Sequence, residues 1–158
     1  MKLQQELKLK QPIASLNHEA LLSLVRTSTL MQKLSDRFFS RFNLTDAQFN
    51  ILMILKEYGG EGLSQQELSE HLIVTKSNMV GLVDRLERAG YVERKPHPTD
   101  RRFNQIVLTS KGQRLEQQVE QSYFQEVDKM MNVLSASQKK ALIQAVDSIR
   151  QYIRNYES

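Results

Sequence analysis

The chain contains no cysteine. That absence removes a disulfide framework, a thiolate zinc site and a thiol-based redox switch at once, and it fits a reducing cytoplasm. Proline is scarce, at positions 12, 96 and 98 only, and two of the three fence off a single short loop. No apolar run approaches the roughly 18–20 residues that span a bilayer, so no membrane partner is expected. The first fifteen residues, MKLQQELKLKQPIAS, alternate in charge and lack the apolar stretch of a signal peptide. Catalytic signatures are missing as well. There is no Gly-rich phosphate loop, no G-x-S-x-G and no paired acid in a recognisable setting, so neither an enzyme nor a cofactor is expected. The histidines are His18, His71 and His97. None has another histidine three or four residues away, so no helical pair of metal ligands exists.

What is present is an uneven distribution of charge. The 158 residues carry a net +4, but residues 75–114 hold nine Lys/Arg against four Asp/Glu, a net +5. The other 118 residues hold thirteen against fourteen, a net −1. All the basic excess therefore sits in one quarter of the chain, the electrostatic footprint of a polyanion binder.

Helix starts punctuate the sequence. TDAQ (45–48), SQQE (64–67) and SASQ (135–138) match the capping box, in which a Ser/Thr N-cap is answered by Gln/Glu three residues on. TKSN (75–78) is a weaker version with Asn in the third place. Gly59-Gly60 and Gly90 supply helix stops. The spacing predicts a mobile start up to Pro12 and helices over about 15–41, 45–58, 64–72, 76–89, 110–134 and 136–156. Between the fourth and fifth of these, residues 91–95 and 103–108 form two short strands around the proline loop. The fold class expected is mainly α with a small β-hairpin wing: a winged helix-turn-helix domain flanked by dimerisation helices. The long first helix and the last two carry apolar stripes that a small central domain cannot cover, and a two-fold partner using the same helices would bury them.

The 64–72 and 76–89 helices, separated by a very short turn, make a helix-turn-helix. On a wheel of the second, Met79, Val80, Leu82, Val83, Leu86 and Ala89 gather on one side. Opposite lie Ser77, Gly81, Asp84 and Arg88, with Asn78 and Arg85 on the flank. Small hydrogen-bonding residues at the N-terminal end suit base edges in a major groove, and the arginines suit phosphates. Thr75, Lys76, Ser77, Asn78, Gly81, Arg85 and Arg88 are therefore candidate DNA contacts. Gly81 in mid-helix costs about 1 kcal/mol relative to Ala, which close approach to another surface, or to a neighbouring helix, would offset. In the loop RKPHPTDRRFN (94–104), Arg101 and Arg102 sit at the tip of the hairpin, where narrow minor grooves attract arginine. Asp100 would order the turn by pairing with an Arg or accepting backbone N–H bonds.

These residues resemble, in order and spacing, the MarR family of bacterial winged helix-turn-helix regulators. The resemblance runs through LTDAQFNIL, GLSQQELSEHLIVTKSNMVGLVDRLERAGYVERKPHPTDRR and VLTSKGQ, and is most specific from Leu63 to Gly112. It implies a single MarR-type domain over 1–158, with 43–109 the winged helix-turn-helix part and 1–42 and 110–158 the dimerisation helices. It implies a homodimer reading a pseudo-palindromic operator on double-stranded DNA, and the family's D-x-R motif falls on Asp100, Arg101 and Arg102. Members usually repress transcription, and many release DNA when a small phenolic or other aromatic acid binds. Candidate residues for such an effector pocket are His18, Arg26, Phe38, Phe42, Phe49, Met53, Tyr123 and Phe124, although aromatics at helical spacing also serve as plain core. A winged-helix module for protein–protein assembly, or a regulator insensitive to ligand, are the alternative expectations.

Overall fold

The computed structural model of the chain describes residues 3–72, 76–96 and 104–157, with Lys76, Ser77 and Glu157 as backbone only. Seven α-helices and one hairpin follow in the order α1 (Leu3–Glu6), α2 (Leu16–Ser40), α3 (Asp46–Tyr58), α4 (Gln65–Leu72), α5 (Lys76–Arg88), β1 (Val92–Pro96), β2 (Asn104–Leu108), α6 (Ser110–Met131) and α7 (Ala136–Glu157). A 3₁₀ turn over Gly59–Glu61 follows α3. The chain divides into two compact units, Met1–Gln113 and Arg114–Ser158.

All three capping boxes form. Thr45 accepts from the Gln48 N–H at 3.2 Å while the Gln48 side chain takes the Thr45 N–H at 2.9 Å. Ser64 and Glu67 exchange the same pair of bonds at 2.8 and 3.2 Å, as do Ser135 and Gln138 at 2.8 and 3.3 Å. The Ser135 box also explains why α6 ends at Met131, short of the expected 134: the chain must leave the helix to place Ser135 as the cap of α7. The expected mobile start instead includes one helical turn, α1, and its Glu6 carboxylate holds the Arg26 guanidinium at 2.6 Å.

The core of the first unit lies between α2, α3, α4, α5 and the hairpin. Phe39, Phe49, Ile51, Leu52, Leu55, Leu68, Met79, Val83, Leu86, Val92 and Ile106 are fully buried there. Burying each such side chain is worth about 1.5–3 kcal/mol. In the hairpin, Val92 pairs with Leu108 and Arg94 with Ile106 in an antiparallel register. A third segment joins it. Leu63, just before α4, donates its N–H to the Ile106 carbonyl at 3.1 Å and accepts the Ile106 N–H at 2.7 Å. Close approach at this point demands Gly62, whose φ is +68° and whose absent Cβ would lie 2.4 Å from the Ile106 carbonyl oxygen.

Outside this core, α2 exposes Leu21, Leu24, Val25, Leu30, Met31 and Leu34, and α7 exposes Leu142, Ile143, Ile149, Tyr152, Ile153 and Tyr156. No helix among the described residues is long and apolar enough to cross a membrane.

Candidate nucleic-acid interface

The sequence of α5 decides which of its sides faces the solvent. Met79, Leu82, Val83 and Leu86 are buried and fix the inner face. Asn78, Arg85 and Arg88 are exposed and Gly81 is half-exposed, as their place on the wheel requires. Val80 departs from the expectation. It stands on the margin of the apolar side and is 43% exposed, so it belongs to the outer surface rather than the core. Lys76 and Ser77 open the helix. Thr75, Asp100, Arg101 and Arg102, together with His97, lie outside the described residues.

Gly81 now has a narrower explanation. A Cβ built on it would meet nothing closer than the Arg85 guanidinium at 3.7 Å. Packing inside the chain is therefore not what favours glycine among the described residues. The other expectation, a close approach of this backbone by another surface, is the one that a substitution tests. Gly81→Ala is expected to raise the melting temperature, through helix propensity worth up to about 1 kcal/mol, while weakening duplex binding. A variant that is both more stable and equally tight in a gel-shift titration would show that nothing approaches this point.

The cations around α5 divide by where their charge goes. Lys111 donates to the Ala89 carbonyl at 2.7 Å and lies 4.9 Å above the Tyr91 ring, closing the C-terminal end of α5. Lys95 pairs with Glu93 at 2.9 Å across the outward side of β1. Arg94 turns inward to α5, taking Asp84 at 2.5 Å with one terminal nitrogen and Glu87 with the other. The Asp84 hydrogen bond, set against partial burial and aided by the Glu87 charge, raises the Arg94 pKa above its ordinary value. Asp84 is thus drawn toward the hairpin instead of standing free on the outer face. Arg88 sends its Nε to the Asp84 carbonyl at 3.2 Å and remains exposed, as does Arg85. The outward charge of α5 is therefore positive. Its carboxylates are occupied by Arg94, a residue the wheel of the helix alone could not find. The signal was in the strand: Arg94 is two residues from buried Val92, on the same inward-facing side.

The expected effector residues fall into different settings. Phe49 is fully buried, its ring 5.1 Å from that of Phe39, and Phe38 is buried 5.4 Å from the half-buried Phe42. Arg41 lies over both Phe38 and Phe42, at 4.8 and 5.6 Å from the ring centres. Met53 is half-buried, His18 is exposed near the start of α2, and Arg26 is occupied by Glu6. Tyr123 and Phe124 stack edge-on at 5.4 Å in the second unit. No cluster of three or more His, Cys, Asp or Glu residues suited to a metal ion occurs among the described residues.

Comparison with known proteins places this geometry. Residues 42–102 match the model of the MarR family. The HTH-type transcriptional repressor YetL of Bacillus subtilis is 30% identical over 131 residues, covering 83% of this chain and 78% of that protein. Among solved structures, the Staphylococcus aureus MepR–DNA complex superposes with a TM-score of 0.76 at 19% identity, over 88% of this chain and 99% of that one. CouR from Rhodococcus jostii, bound to p-coumaroyl-CoA, gives a TM-score of 0.73 at 23% identity, covering 87% of this chain and 95% of its own.

Proposed function

Since the chain belongs to the MarR family of DNA-binding transcriptional regulators, which are not enzymes, we propose that it is a homodimeric repressor that reads a pseudo-palindromic operator and is released by a small aromatic or phenolic effector. The observation that carries this reading is the outer face of α5, where Asn78, Gly81, Arg85 and Arg88 share one exposed side beside the hairpin. Polar groups and an unobstructed backbone near the N-terminal end suit base edges, and guanidinium groups further along suit phosphates. In this reading residues 43–109 bind DNA, and Arg101 and Arg102, ordered by Asp100, extend the contact from the hairpin tip. Thr75, Lys76 and Ser77 complete the helix end that enters the groove.

Residues 1–42 and 110–158 supply the dimer interface. Support comes from the aliphatic side chains that α2 and α7 leave in water. The repressor role is supported by YetL, which is a repressor. The effector is supported by CouR, which holds an aromatic acyl-CoA on the same fold. Glu6 holds the Nε of Arg26, so an acidic effector would compete with it there.

Selection of bound sequences from random duplex DNA tests the central claim. A palindrome with half-site centres about 10–10.5 base pairs apart, or a multiple of that, is expected; failure to enrich any sequence would end the sequence-specific reading. On the selected duplex, Arg102→Ala is expected to cost about 1–3 kcal/mol of binding with the dimer intact. Arg85→Ala should lower the slope of log affinity against log salt by roughly one unit. An unaltered slope would take Arg85 off the list of phosphate contacts.

A further inference from the structure

Arg94 joins the two elements that face the duplex, and no role assigned above uses it. It leaves β1 on the same side as buried Val92, so strand alternation turns it onto α5, and its side chain is only 25% exposed. There the guanidinium spans one turn of helix, holding Asp84 at 2.5 Å and Glu87 beside it. The Arg94 N–H also donates to Glu87 Oε1 at 3.2 Å, so backbone and side chain of one strand residue share one helix carboxylate. Asp84 and Glu87 are the only acids of α5. A two-pronged donor of this kind requires arginine, because an ammonium is a point charge and cannot present a planar fork.

We infer that Arg94 is a positioning residue for DNA binding, locking the hairpin to the third turn of α5 so that helix and hairpin engage the duplex as one body. Its charge is spent on the two carboxylates and not on phosphate. The inference rests on the DNA-binding reading given above and adds to it a residue that does not itself touch DNA.

Electrostatics alone and the clamp make opposite predictions. Neutralising two acids beside a polyanion should tighten binding if charge is all that matters. If the clamp matters, the same change loosens it. The experiment uses the full chain, the duplex recovered by selection, and three variants: the near-isosteric double Asp84→Asn/Glu87→Gln, Arg94→Met and Arg94→Lys. The double variant is expected to bind roughly tenfold more weakly despite its more positive charge. Its hydroxyl-radical footprint should lose the flanks, where the hairpin lies, while the half-site centres stay protected at saturating protein. Arg94→Met should behave likewise, with a salt slope changed by less than about half a unit. Arg94→Lys should stay nearer to Arg94→Met than to the parent.

Tighter binding by the double variant, or a complete footprint with Arg94→Met, overturns the clamp. A slope lower by about one unit in Arg94→Met does so too, by placing that guanidinium on a phosphate. Circular dichroism melts establish that each variant is folded, and the near-isosteric double decides the matter if Arg94→Met is not. A parent protein that protects no duplex removes the DNA-binding reading itself. A parent that protects while the variants match it removes only the clamp.

Discussion

Gly112→Ala is expected to destabilise the winged region by about 3 kcal/mol or more, at the upper end of the usual cost of overpacking. Gly112 lies in the first turn of α6, and a Cβ there would stand 1.9 Å from the Tyr91 carbonyl oxygen and 2.9 Å from the carbonyl carbon. Those atoms are backbone, and they are held in place. The Tyr91 carbonyl accepts the Thr109 N–H at 3.1 Å and lies 3.2 Å from the Thr109 hydroxyl oxygen. The same hydroxyl donates to the Gly90 carbonyl at 2.7 Å and caps the Gly112 N–H at 3.0 Å. Relief would therefore require moving the end of α5, the start of β1 and the start of α6 together. For a chain of this size the loss corresponds to a melting temperature lower by on the order of 10 °C, read at fixed protein concentration so that the proposed self-association does not enter the comparison. Gly81→Ala serves as the internal control, since its Cβ would meet only the Arg85 guanidinium at 3.7 Å, an ordinary contact. A Gly112→Ala protein melting within about 2 °C of the parent would show that the Tyr91–Gly112 contact is not close in solution.

The second large effect concerns assembly. Ile149→Glu combined with Ile153→Glu puts two carboxylates on the face of α7 where both isoleucines are about half exposed. If that face meets a second copy, burying the new charges unpaired is prohibitive, and the variant should elute as a monomer under light scattering. Loss of the second binding module should then cost about 10²–10⁴-fold in affinity for the selected palindrome. Weak binding to random duplex at low salt should survive, because it depends on the charge of each subunit's own surface. A variant that stays dimeric, or a monomer that grips the palindrome as tightly as the parent, would take α7 out of the interface.

Much of this architecture is local and was legible for that reason. A capping box needs only four residues, so the starts of α3, α4 and α7 followed from TDAQ, SQQE and SASQ without knowledge of their neighbours. The inner face of α5 followed from a period of 3.6. Properties that depend on what packs against what were harder to read. Val80 sits at the margin of the apolar arc, and its exposure depends on how far the neighbouring elements reach. Phe38 and Phe49 share helical spacing with any pocket-lining aromatic, yet the structure buries them. Glu6 with Arg26, and Arg94 with Asp84 and Glu87, join residues whose meeting depends on tertiary packing. The winged region's place in the MarR family rested on a longer pattern, one in which helix, turn and strand signals agree in register.

The strand pairing of Leu63 with Ile106 has a consequence for aggregation. A two-stranded sheet normally offers two raw edges on which strands from other molecules can grow. Here the Ile106 rung is closed on the β2 side by Leu63, and on the β1 side the outward N–H of Arg94 is taken by a glutamate from the helix. At that level a foreign strand would find the β2 position closed and the β1 donor already engaged. Growth of the sheet by a foreign strand is thereby hindered at the Ile106 level.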